Sequence, residues 1–404
     1  LRTYLSSKLA DLVTPTSSPD LAGVAWYLSS GVVHTARTVL EEVSRIPCGS
    51  YVLLTRGRRD VIRYWRFEIT SEYAGTPADW LRDDAADLLV ESVRKRIADD
   101  DAPLLSLSAG HDIRGVLAIL THVLHVDGIE TFSYCADEGV PDSDAVVAQR
   151  LARTRGVPHR VLRSYDGAFD DVIERNALWG DGSANFCDEA LVWDQLVEHH
   201  KARRPSLFLG DTAFNSSRYE VVTMQDVLDD CAMRSFAGLS WLEKLLPDGQ
   251  YSELRDAQAA DFDALTRMIE GVDEILDRMD LLYVEEYIPR RLLPWREYYA
   301  ARGFTVQEPL RDNDILEFAR RLPPDLRRRK RLYVEAATAL DPELFVVPRA
   351  KVSGCYIDWR SELRRHAATL TAAGTRGGAS GASLLDDVID PAIVGATLAL
   401  PHFR

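Results

Sequence analysis

The chain has 404 residues, of which 46% are hydrophobic, and a formal net charge of -15 at pH 7. This length and composition predict one large globular domain with a smaller attachment. The acidic balance repels a phosphate backbone and therefore argues against stable nucleic-acid binding. The sequence has no long apolar run and no basic-then-apolar N-terminus, so it predicts neither a membrane span nor a signal peptide and favours the cytoplasm.

The first part of the chain predicts a short helix followed by a β-hairpin. Apolar and polar residues alternate between Gly49 and Phe67, around a turn at Arg56-Gly57-Arg58. Residues 76–99 carry apolar side chains at helical spacing and predict an amphipathic helix that leads into the next domain. We therefore predict two domains, 1–70 and 71–404.

Strands and helices alternate from residue 104 onwards. The predicted strands are 104–108, 130–135, 159–162 and 206–209, and the predicted helices between them are 113–125 and 144–155. This order predicts an α/β fold with a doubly wound parallel sheet. The chain then turns mainly helical, with long runs around 252–282 and 314–340, and the Gly/Ala/Ser-rich stretch 373–383 predicts a flexible loop.

The junction between the first predicted strand and the helix after it, residues 104–114, gives the clearest indication of function. An apolar strand runs into small residues and then into an apolar helix, which directs backbone N–H groups and the positive helix end at an anion. Ala109 and Gly110 let a phosphate approach the main chain, and Ser108 offers a hydroxyl. Asp112 is suited to hold a magnesium ion that bridges phosphates, although a helix N-cap is the alternative role for it. The spacing of a Walker loop is absent.

The segment Ser108-Ala109-Gly110-His111-Asp112-Ile113 resembles the pyrophosphate loop S-G-G-x-D-S of the N-type ATP pyrophosphatases. Later segments resemble, in the same order, the motifs of the asparagine synthetase and β-lactam synthetase branch. These segments are Thr131–Tyr134 with Pro141–Asp144, Leu209–Asp211, Gly303–Asp312, Leu322–Leu326 and Arg349–Gly354. Residues 27–51 resemble the last portion of the family's glutaminase domain, so 1–70 is identified as a remnant of that domain.

The resemblance implies an AMP-forming amide ligase that uses ATP and Mg²⁺. Such an enzyme adenylates a small-molecule or peptide carboxylate, releases pyrophosphate and passes the acyl group to an amine, within one molecule or between two. The arginine-rich, lysine-poor composition fits specialised bacterial metabolism, by association only. The implied ATP- and pyrophosphate-binding residues are Leu107, Ser108, Ala109, Gly110, Asp112, Ile113, Tyr134 and Gly210, with the metal on Asp112.

Two catalytic residues follow from the same motifs. Lys351 is implied to neutralise charge that builds on the phosphate and then on the oxyanion, and lysine is scarce in this chain. Asp211 is the candidate general base for the amine. The structural alternatives are a surface lysine and a turn or capping aspartate.

Departures from the family pattern keep other functions open. Ile113 replaces a serine or threonine, Phe214 stands at the position of a second metal-binding carboxylate, and Thr305 replaces a glutamate. A non-catalytic scaffold of the same fold therefore stays open, whereas the acidic balance disfavours a pyrophosphatase that acts on tRNA. A glutamine-dependent enzyme whose glutaminase region is missing or supplied by a separate chain also stays open, as does a homodimer. Without an N-terminal cysteine, we expect no glutamine hydrolysis from this chain as written.

Three further groups of residues are interpreted as structural. The basic run 327–331 predicts a solvated helix face. His199 and His200 lie at a polar helix end with no carboxylate four residues on, so we expect both to be exposed. The cysteines are far apart and form no C-x-x-C pair, which predicts neither a zinc knuckle nor a disulfide framework, and Cys48 is expected to be structural.

Overall fold

The computed structural model describes residues 3–97, 102–169, 171–172, 175, 180–181, 190–211, 221–354, 357–358, 361–362 and 364–366. Phe214 and the predicted flexible loop 373–383 lie outside the described residues. Among the described helices, none combines the length and the apolar composition that a membrane span needs.

Seven strands form two sheets in the described part of the chain. The hairpin consists of β1 (Ser50–Thr55) and β2 (Arg58–Arg63), and the larger sheet of β3 (Leu104–Ser106), β4 (Glu130–Cys135), β5 (His159–Arg163), β6 (Ser206–Phe208) and β7 (Thr305–Gln307). The larger sheet has the order β5-β4-β3-β6-β7, and all its neighbouring strands are parallel. The predicted α/β fold with a parallel sheet is therefore confirmed.

Helices surround this sheet and form most of the second half of the chain. They are α1 (Leu21–Ser30), α2 (Ala78–Arg94), α3 (His111–Ala118), α4 (Asp144–Thr154), α5 (Ala190–His199), α6 (Met224–Asp230), α7 (Gln250–Met268), α8 (Ile275–Leu282), α9 (Leu293–Ala301), α10 (Asn313–Arg321), α11 (Pro324–Arg327), α12 (Arg331–Leu340) and α13 (Pro342–Val346). π-helical turns at Ile119–Val123 and Tyr283–Leu292 extend α3 and α8. Short 3₁₀ segments are Leu9–Leu12, Phe236–Lys244, Pro309–Arg311 and Arg328–Lys330.

Most predicted elements are confirmed, and three details differ. The predicted helical run 252–282 is divided into α7 and α8. The predicted strand 130–135 and hairpin are present as β4 and β1–β2. The predicted helical run 314–340 is wrong as one element, because Pro323 and Pro324 lack the N–H that a continuing helix needs and the chain divides into α10, α11 and α12. Strand β7 was not predicted, since three residues are too short to show a pattern.

The parallel sheet is buried on both faces. Along β3, Leu104 packs with Trp193 of α5 on one face, whereas Leu105 packs with residues of α2, α3 and α12 on the other. Leu207 and Phe208 divide between the two faces in the same way, because successive side chains of a strand point in opposite directions. Burial on both sides explains why two adjacent residues are apolar in each of these strands, Leu104 and Leu105 in β3 and Leu207 and Phe208 in β6.

Helix α1 packs on the later helices. Trp26 is fully buried, and its indole N–H donates to Asp261 Oδ2 of α7 at 2.8 Å. The N-terminal segment therefore shares a core with the helical second half of the chain. The domain boundary near residue 70 stays a prediction.

Two interpretations of polar residues were wrong in part. In the run 327–331, Arg328, Arg329 and Arg331 are exposed as expected, but Arg327 is 2% exposed and forms ion pairs with Asp277 and Asp280. The pair His199–His200 is not uniformly exposed, because His200 is half-buried. The partners of both residues, the two carboxylates of Arg327 and the Phe304 ring beside His200, lie far away in the sequence and are close only in the fold.

Candidate active site

A cavity of about 340 Å³ opens at the carboxyl ends of β3, β4 and β6. The chain runs from β3 to β4 on one side and returns to β6 on the other, so this edge contains the point where the strand order reverses. Open α/β sheets bind ligands at such a point. The lining residues are Ser106, Leu107, Ser108, Gly110, Asp112, Ile113, Ser133, Tyr134, Asp144, Leu209, Gly210, Asp211, Arg296 and Ser353.

The loop between β3 and α3 is held by its own hydroxyl and by α4. The Gly110 N–H donates to Ser108 Oγ at 3.2 Å, and the Ala109 N–H donates to Asp144 Oδ1 at 3.1 Å. Gly110 is the N-cap of α3, and Asp112 is the second residue inside the helix. The alternative role of Asp112 as an N-cap is therefore wrong. Its carboxylate instead lies in the first turn of α3, where the positive end of the helix dipole stabilises a negative charge.

The end of β6 approaches the start of α3 very closely. A Cβ atom on Gly210 would lie 2.7 Å from the backbone N of Ile113, which is closer than atoms can pack. Glycine is therefore required at this position for steric reasons. The close approach brings Asp211, the next residue, near Asp112, and each carboxylate borders the same cavity.

Asp112 is paired with a lysine from the far end of the chain. The Lys330 ammonium donates to Asp112 Oδ2, whereas Oδ1 is buried and has no hydrogen-bond partner. Burial raises the pKa of the Asp112 carboxyl, and the Lys330 ammonium opposes this rise. Arg329 and Lys330 both have left-handed backbone conformations, with φ of 54° and 57°, which direct this side chain at the cavity edge.

Asp211 forms a two-point ion pair with Arg296 of α9. Arg296 Nε donates to Asp211 Oδ2 at 2.7 Å, and Nη2 donates to Oδ1 at 3.2 Å. Burial raises the pKa of the Asp211 carboxyl, but the Arg296 guanidinium, together with the charges of Arg311 and Lys330, holds the pKa below its usual value. Asp211 is therefore ionised, and its affinity for a proton is low.

Lys351 lies beside the cavity and is not one of the residues that line it. Its Nζ contacts Asp142 Oδ2 at 3.0 Å, and 80% of its side chain is exposed. The backbone nearby is anchored, since the Lys351 N–H donates to the Asp142 carbonyl at 3.0 Å and the Asp144 N–H donates to the Ser353 carbonyl at 3.3 Å. The structure thus brings the Arg349–Gly354 motif against the Pro141–Asp144 motif, with Ser353 in the cavity wall.

Most of the sequence-predicted site residues meet at this cavity. Of the predicted ATP-binding group, Ala109 contributes through its backbone contact with Asp144, and the other members line the wall. Sequence reasoning missed Arg296 and Lys330. The scarcity of lysine could have singled out Lys330, whereas no local pattern marks Arg296 among the many arginines.

A family profile matches most of the chain, and solved structures are similar only at low identity. The sequence profile of the family described as asparagine synthase matches residues 84–399. No curated protein is significantly similar to the chain. Among solved structures, the U34-tRNA thiolase NcsA from Methanococcus maripaludis with its 4Fe-4S cluster is 12% identical, with a TM-score of 0.30, and the match covers 72% of this chain and 74% of that one.

A second solved structure is the NH3-dependent NAD synthetase from Campylobacter jejuni subsp. jejuni NCTC 11168, in complex with the nitrate ion. It is 13% identical to this chain, with a TM-score of 0.25, and the match covers 51% of this chain and 92% of that one. At these TM-scores neither structure supports an argument about the function of this chain.

Proposed function

The chain belongs to the asparagine synthase family, and on that premise we propose that it adenylates a carboxylate with ATP, releases pyrophosphate and passes the acyl group to an amine. Family membership supports an ATP-dependent ligase. The AMP-forming course of the reaction and the roles of single residues are the proposal. The observation that carries it is the meeting of Ser108, Gly110, Asp112 and Asp211 around one cavity at the carboxyl edge of the sheet.

The charges around the cavity suit a triphosphate. Lys330 and Arg296 are paired with Asp112 and Asp211, so two cations and two carboxylates stand at one site. Phosphate oxygens accept hydrogen bonds from such cations more strongly than from neutral donors. We expect the triphosphate to take Lys330 as a partner, which leaves the Asp112 carboxylate available to a cation.

The carboxylates of the site fit a magnesium ion. Asp112 Oδ1 is a buried oxygen without a hydrogen-bond partner, and Asp211 is close enough to raise the pKa of Asp112. Carboxylate oxygens are ligands that Mg²⁺ prefers, so Asp112 is the proposed ligand. When bound, the ion would supply positive charge to the phosphates.

The protein side chains divide the remaining work. The substrate carboxylate attacks the α-phosphorus and the bond to pyrophosphate breaks, which yields an acyl-adenylate. The amine nitrogen then attacks the acyl carbon, AMP leaves and the amine gives up a proton. We assign charge neutralisation to Lys351 and proton acceptance to Asp211, which must part from Arg296 to become an effective base.

Carboxylate-dependent exchange between ATP and labelled pyrophosphate tests this proposal. The panel comprises amino acids, small acids and peptides, and an intramolecular reaction would give a product lighter by one water. We expect exchange with at least one carboxylate and its loss in Asp112→Asn, which keeps the side-chain size and removes the charge. Asp248→Asn, at an exposed aspartate, is the matched control. Unchanged exchange in a folded Asp112→Asn protein would contradict the proposal.

A further inference from the structure

A second cluster of metal-binding side chains lies at the other end of the sheet. Glu130 is the first residue of β4, His199 is the last residue of α5, and His200 follows it. Ser133 and Tyr134, further along β4, line the ATP cavity. The cluster is therefore at the amino end of a strand whose carboxyl end borders the candidate active site, and the proposed ligase reaction does not use it.

The three side chains have the geometry of a ligand set. One ligand atom of each, a ring nitrogen or a carboxylate oxygen, lies within 4.8 Å of the others. His199 Nε2 and Glu130 Oε2 are 3.6 Å apart. Tetrahedral zinc with bonds of about 2.0–2.2 Å places neighbouring ligand atoms roughly 3.3–3.6 Å apart, so small side-chain rotations complete the site.

His200 supplies an observation that is independent of this spacing. Its Nε2 is buried and has no hydrogen-bond partner. The His200 backbone is fixed by a 2.9 Å bond from its N–H to the Leu196 carbonyl, and its ring contacts the Phe304 ring edge-on. A buried polar nitrogen without a partner is costly, and a metal ion would satisfy it.

Arg160 of β5 stands where it would compete with a cation. Its Nη2 lies 3.1 Å from His199 Nε2, within hydrogen-bond distance. A guanidinium cannot lose its proton, so it can only donate to this nitrogen and repels a metal ion nearby. Metal binding at His199 therefore requires Arg160 to turn away.

We propose that Glu130, His199 and His200 bind one first-row divalent transition metal, with zinc as the probe, and that this ion ties α5 to the amino end of β4. Two imidazoles and a carboxylate are a donor set typical of zinc, with a water in the fourth position. The ion would bind away from the ATP cavity, because none of its three ligands lines that cavity.

Zinc titration of the tag-free full chain, without nucleotide, tests the inference. We expect one zinc ion per chain and a rise of the thermal midpoint as zinc is added, because binding to the folded state stabilises it. His199→Gln and Glu130→Gln change exposed or half-exposed ligands, and each is expected to weaken binding at least about tenfold, since even residues behind the ligands have effects of that size. Arg160→Gln is expected to tighten binding.

His122→Gln, which removes an exposed histidine elsewhere, is the matched control and should bind zinc as the unaltered chain does. Equal zinc affinity in His199→Gln, Glu130→Gln and the unaltered chain would overturn the inference. Binding that is lost in Asp112→Asn and kept in His199→Gln would also overturn it, because the ion would then lie in the ATP cavity.

Discussion

Replacement of Lys351 by methionine tests the proposed catalytic residue that does not line the cavity. The ammonium contacts Asp142 at 3.0 Å, and the side chain is 80% exposed. Exposed ion pairs contribute little to stability because water competes for both charges. The lysine can therefore leave Asp142 at little cost. Ser353 lines the cavity two residues further on, and two residues span at most about 7 Å, so the lysine stem can reach the phosphates.

The expected effect is on rate far more than on binding. An ammonium that meets the phosphate charge and then the oxyanion acts mainly in the transition state, so its loss lowers kcat. We expect amide formation to fall at least about a hundredfold, which corresponds to about 2.7 kcal/mol of barrier. ATP binding should weaken less than about tenfold, and the thermal midpoint should stay within about 2 °C of the unaltered value.

The assay is single-turnover amide formation at saturating ATP, together with equilibrium ATP binding. Lys201→Met is a matched control, because Lys201 is another exposed lysine paired with an exposed carboxylate, Glu198, at 2.8 Å. Near-normal amide synthesis in Lys351→Met would show that the assignment is wrong. Lost ATP binding with a normal rate at saturation would instead make Lys351 a ground-state phosphate anchor.

Further variants test the rest of the cavity. Lys330→Met leaves the Asp112 carboxylate unpaired, so we expect at least about tenfold slower pyrophosphate exchange and a loss of roughly 3 kcal/mol in urea unfolding, and the double variant with Asp112→Asn should regain part of that stability. Arg296→Gln removes the cation that lowers the pKa of Asp211, so the acid limb of the kcat/KM profile should move to higher pH, and an unmoved limb would rule out Asp211 as the base. Gly210→Ala introduces a Cβ against the start of α3 and should destabilise the fold by about 1–3 kcal/mol, whereas normal stability would contradict the close approach.

The sequence alone determined the secondary-structure elements and the short motifs of this protein, because these depend on residues that are neighbours in the chain. Strand β4 follows from Thr131, Phe132 and Tyr134, residue types that favour strands, and the turn at Gly110 follows from small residues between a strand and a helix. The order of several short motifs predicted the family, which the profile match confirms. These patterns can be recognised from the sequence alone because each one lies within a few consecutive residues.

Tertiary structure alone decided which charges meet. Lys330 and Asp112 are 218 residues apart, and Arg296 and Asp211 are 85 apart, so no local pattern pairs them. His199 and His200 show the same limit, because the carboxylate that accompanies them comes from β4 rather than from their own helix. An ion pair or a ligand set depends on distance in space. The fold sets that distance by packing helices against the sheet through apolar contacts, and the hydrophobic effect that drives this packing does not depend on which charged residues it brings together.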